Sequence, residues 1–87
     1  LSDRGQLEEA LELHKKEEKI KEQLGDRAGL AICWWNMGIL HGKQNDFKTK
    51  LHLWEKSIQT KKDIGIPTEK NEKHLAELRK ELEEGKF

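Results

Sequence analysis

The side chains able to do chemistry are few and scattered. His14, His41, His52 and His74 form no HExxH pair, and Cys33, the only cysteine, has no second thiol for a CxxC pair. This spacing offers no metal site and implies no cofactor. A lone cysteine also excludes an internal disulfide, and a reducing, cytoplasmic setting is expected. On an apolar helical stripe Cys33 reads as a small core residue rather than a nucleophile. GILHGK, residues 38 to 43, superficially suggests a phosphate loop, but its glycines stand four apart, Gln44 follows Lys43 and no strand precedes it. Lys50 is the one amine set among aromatic residues, and an apolar surround with an adjacent base would make it a nucleophile. The sequence supplies no such base, and lysine carries its ammonium to water on an apolar stem. No enzymatic activity is expected.

The elements that must position these residues are helices. The chain has 87 residues, 39% of them charged and 33% hydrophobic, with no valine or tyrosine and a single proline. That composition suits one small domain of solvated helices, each with one apolar stripe. Seventeen basic and seventeen acidic side chains cancel, leaving no electrostatic footprint for nucleic acid or a membrane surface. No stretch is long and apolar enough to span a bilayer. Residues 31–67 nevertheless carry six basic and three acidic side chains, a mild positive bias suited to an acidic partner segment.

Period and punctuation divide the chain into four segments. Leu7, Ala10, Leu11, His14, Ile20 and Leu24 approximate helical spacing over 5–24. Gly25 ends that helix and Asp26 caps the next. Residues 27–64 predict a helix-turn-helix unit that turns at Asn45-Asp46. Its first helix carries Leu30, Ala31, Trp34, Met37, Gly38 and His41 on one face, and its second carries Phe47, Leu51, Trp54 and Ile58. Pro67 breaks the chain, and Thr68 is placed to cap a last helix over 68–84, striped by Leu75, Leu78 and Leu82. Glu12 with Lys16, Glu17 with Lys21, and Glu69 with Lys73 form i,i+4 pairs that support exposed helix faces.

The segment from Gly5 repeats in the segment from Asn45 at an offset of forty: Leu7 meets Phe47, Leu11 meets Leu51, Leu13 meets Leu53, His14 meets Trp54 and Gly25 meets Gly65. Segment 5–24 therefore reads as the second helix of a preceding unit, 27–64 as a complete unit and 68–84 as a capping helix. The chain is expected to be part of a longer array.

Trp34, Met37, Gly38 and His41, followed by Phe47, Lys50, Leu51 and Trp54, resemble the tetratricopeptide repeat pattern, in the longer-period form similar to kinesin light chain repeats. Met37 stands where the pattern has Leu, and His41 where it has Tyr. Lys50 stands where it has Ala at the closest approach of the two helices. The resemblance implies an all-α fold of antiparallel helical hairpins stacked as an α-solenoid. It makes these eight residues the repeat core and makes Gly38 the point of helix contact.

The resemblance also gives the paired tryptophans separate roles. Neighbours on a helix point about 100° apart, so one rotation cannot bury both. Trp34 lies on the core stripe. Trp35 shares another face with Ile32 and Ile39, with Lys43 at its rim, where tetratricopeptide arrays line the groove that holds a peptide or partner helix. Packing of Trp35 on the helix of a preceding unit is the competing reading. A protein or peptide partner bound at Ile32, Trp35, Ile39 and Lys43 is one expected function. The alternative is self-association, with a homodimer completing the truncated stack.

Overall fold

A computed structural model describes residues 3–85. Four helices occupy them: α1 (Asp3–Leu24), α2 (Arg27–Lys43), α3 (Phe47–Asp63) and α4 (Glu69–Glu83). No strand occurs among the described residues, so the fold is all-α and built of helical hairpins.

The helix ends follow from the residues that punctuate them. Gly25 and Gly65 adopt φ of +69° and +81°, and Asn45 adopts +63°, in the left-handed region that closes a helix. The same pair of bonds ends α1 and α3. Gly25 N–H donates to the Glu22 carbonyl and Asp26 N–H to that of Lys21; Gly65 N–H donates to Lys62 and Ile66 N–H to Lys61. Asp26 accepts from Gly29 N–H at the start of α2, and Asp46 accepts from Thr49 N–H at the start of α3. Thr68 sits at the corresponding position of α4, but its side chain makes no capping bond there.

Packing runs along the chain: α1 on α2, α2 on α3, α3 on α4, with no other pair of helices in backbone proximity. The result is a slab of 38 × 35 × 15 Å, little thicker than one helix. Two apolar clusters hold it together. Leu11, Leu30, Cys33, Trp34, Met37 and Leu53 join the first three helices. Trp54, Ile58, Leu75 and Leu78 join α3 to α4, with Trp35, Phe47, Leu51 and Leu82 packed around them.

No helix is long and apolar enough to cross a membrane among the described residues.

Candidate functional site

Trp34 is buried in the first cluster. Its Nε1–H donates to Glu18 Oε2 at 2.6 Å, and Lys56 Nζ stands 4.0 Å from its ring centroid. The indole thus satisfies its one donor while its body stays dry.

Trp35 turns the other way, as adjacent helical positions must, but the face it meets is occupied. Its ring stacks on Trp54 with centroids 3.9 Å apart and planes 4° from parallel, and His74 of α4 meets both indoles edge-on at 6.3 Å. Trp54 Nε1–H donates to the Trp35 carbonyl at 3.1 Å. These rings fill the interval between α2 and α4, whose backbones do not meet. Trp35 packs toward α3 and α4, not toward a preceding helix, and is half-buried.

Two glycines of α2 make room for this centre. A Cβ on Gly38 would lie 2.6 Å from Trp54 Cδ1, so the helix approach there requires glycine. A Cβ on Gly42 would lie 2.8 Å from Lys50 Cδ. Lys50 is therefore accommodated at the helix crossing because Gly42, opposite it, has no side chain. Lys50 Nζ reaches 4.5 Å from the Trp54 centroid, within cation–π range. A pocket of about 150 Å³ beside it is lined by Lys50, Trp54, His74, Glu77 and Glu81.

His41 is mostly buried, with Nδ1 3.5 Å from Asp46 Oδ2. Met37 is buried in the first cluster, and Phe47 and Leu51 pack on the second.

The exposed large hydrophobic residues among those described all lie on α1 and α2. Ile32 is 55% and Ile39 37% exposed, flanking the half-buried Trp35. Lys43 lines a different feature, an open groove of about 740 Å³ between the start of α1 and the α2–α3 turn. Arg4, Lys15 and Lys43 share that groove with Glu8, Glu12 and Asp46, so its charge selects neither sign of ligand.

The other apolar strip is on α1. Leu13, Ile20 and Leu24 are 65%, 54% and 73% exposed. They lie about 180–220° round the helix from Leu11, which faces α2. The forty-residue offset explains why apolar residues stand there. Leu13 and Ile20 correspond to Leu53 and Thr60 of α3, both buried. That face of α3 receives α2: Leu53 packs in the cluster with Trp34 and Met37, and Ser57 Oγ donates to the Ala31 carbonyl at 2.6 Å. Among the described residues, no helix lies on the equivalent face of α1. At the far edge of the slab, Leu75 and Leu78 face inward, while Lys73, Glu77, Arg79 and Lys80 are exposed.

One cluster of chemically capable side chains was not legible as a motif. His14, Glu17 and Cys33 meet at the α1–α2 seam, with one ligand atom from each within 4.8 Å of the other two. Cys33 is fully buried and its Sγ–H donates to the His14 carbonyl at 3.2 Å. Burial, with the Glu17 and Glu18 carboxylates adding to it, pushes the thiol up to about 11. Nineteen residues separate His14 from Cys33, so only the register of the two helices unites them. Both nevertheless stand on stripes expected to face the core.

The chain matches no protein-family model, no curated protein and no solved structure.

Proposed function

We propose that this chain is a non-catalytic, tetratricopeptide-like interaction module that receives a partner helix on the open face of α1. The observation that carries this reading is the exposed stripe Leu13, Ile20 and Leu24, of which Leu13 and Ile20 correspond in register to Leu53 and Thr60 on the α3 face that binds α2. An isolated apolar residue at the surface is ordinary, but a strip of large ones marks an interaction site. The occupant is a helix of the α2 kind: one apolar face with small residues at the crossing. The α2 of a second copy is an unsuitable donor, since it is already held between α1 and α3.

Ile32 and Ile39, with the outer edge of Trp35, form a second apolar strip, and their exposure supports a peptide contact there as well.

The test is binding in trans of a labelled peptide with the α2 sequence, residues 27–43, followed by fluorescence anisotropy. Saturable binding to the full chain, abolished by the Leu13→Glu/Leu24→Glu variant, is the expected result. No binding, or binding indifferent to that variant, overturns the reading. Light scattering on the unliganded chain completes the experiment. A concentration-dependent dimer lost in the same variant would reassign the stripe to self-association.

A further inference from the structure

The donor cluster at the α1–α2 seam supports a metal site independently of that docking surface. His14 and Glu17 lie one helical turn apart and present their side chains on adjoining parts of α1. Cys33 approaches from α2, and Met37 Sδ lies 3.9 Å from its sulfur. Two features point to a ligand. His14 Nδ1 is buried without a hydrogen-bond partner, since the nearest Glu17 oxygen is 3.8 Å away. Buried ring nitrogens normally find a partner. Glu17, moreover, is not engaged by the lysine one turn on: Lys21 Nζ pairs with Asp26 Oδ2 at 3.2 Å, leaving the carboxylate turned toward His14.

Imidazole nitrogen, carboxylate oxygen and sulfur together form a mixed donor set suited to a borderline-soft cation, and the sulfur disfavours magnesium or calcium. Zinc bonds of about 2.0–2.3 Å place tetrahedral ligands about 3.3–3.8 Å apart. The cluster must therefore close by about 1 Å. The side chains of His14 and Glu17, 25% and 45% exposed, are free to make that adjustment while Cys33 stays in the core.

We propose that His14, Glu17 and Cys33 bind one Zn²⁺ ion across the α1–α2 seam, with water as the fourth ligand. As the sulfur–zinc bond forms, the thiol proton passes to solvent. The bound ion ties α1, which packs on one helix only, to α2.

Cobalt titration of the metal-free full chain tests this. A thiolate-to-cobalt charge-transfer band and intense tetrahedral d–d absorption, saturating at one equivalent and displaced by zinc, are expected. Cys33→Ala removes the charge-transfer band. Glu17→Gln changes a half-exposed side chain and keeps the fold, and it should weaken zinc binding about tenfold or more. Absence of the charge-transfer band in the folded wild-type chain, or unchanged zinc affinity in Glu17→Gln, overturns the proposal. Circular dichroism of each variant verifies that it remains folded.

Discussion

Trp35 and Trp54 lie face to face, 3.9 Å between centroids, and the indole N–H of Trp54 bonds the backbone carbonyl of its stacking partner. One residue thus joins α3 to α2 twice, through its ring and through its one donor. Trp35→Leu and Trp54→Leu should each destabilise the chain, Trp54→Leu more, because it also loses the bond to the Trp35 carbonyl. The double variant should show a coupling of about 0.5–1.5 kcal/mol in urea unfolding. Strict additivity would mean that the stack contributes nothing beyond area.

Gly38 and Gly42 provide a matched contrast on α2. Alanine favours a helix over glycine by about 1 kcal/mol. At Gly38 the new methyl meets the Trp54 ring, which is buried and hydrogen-bonded. Overpacking of about 1–3 kcal/mol should then outweigh the helical gain. At Gly42 it meets only the flexible stem of Lys50, which can swing toward water. Gly42→Ala should therefore be more stable than Gly38→Ala by at least about 1 kcal/mol in thermal or urea unfolding. Equal stabilities would show that the Gly38 crossing tolerates a side chain.

The helix starts give the chain an acid limit. The Gly29 N–H foremost, then Lys21, holds the Asp26 carboxyl below its ordinary 3.8. Thr49 does the same for Asp46, and Lys62 for Glu72. A carboxyl whose folded pKa is depressed contributes stability in full above its unfolded pKa and loses it as pH falls through the folded value. The melting temperature should be level from about pH 7 to about pH 5 and fall below about pH 4. Asp26→Asn/Asp46→Asn keeps a side-chain acceptor at both caps and removes their titration, so its decline should be shallower. Identical slopes would remove the caps from the account.

What the sequence made legible was local chemistry. Gly25, Asn45-Asp46 and Gly65 mark helix ends because left-handed backbone and side-chain caps are properties of a few adjacent residues. Trp34 and Gly38 were legible because one helical face carries them both. The destination of Trp35 was not. Periodicity sets its direction from the α2 axis, but the rings it meets belong to α3 and α4, and His74 stands on a segment whose evident pattern was leucine. Lys50 looked ill-placed at a crossing until Gly42 was found opposite it. His14, Glu17 and Cys33 were hidden for the same reason: their proximity depends on how α1 slides along α2, which no short-range spacing encodes.

The twin glycine caps test whether the slab unfolds as one body. Gly25 and Gly65 both adopt positive φ, and a Cβ on either would meet nothing within 4 Å. Alanine at each position should thus impose the same backbone penalty, about 1–2 kcal/mol. The consequences should differ, because α3 packs on two helices and α1 on one. In an array held by neighbour contacts, an end unit opens without the rest. Gly65→Ala should lower the global unfolding midpoint, while Gly25→Ala should chiefly speed amide hydrogen exchange within α1. Equal midpoint shifts, with exchange raised uniformly over all four helices, would instead show a single cooperative unit.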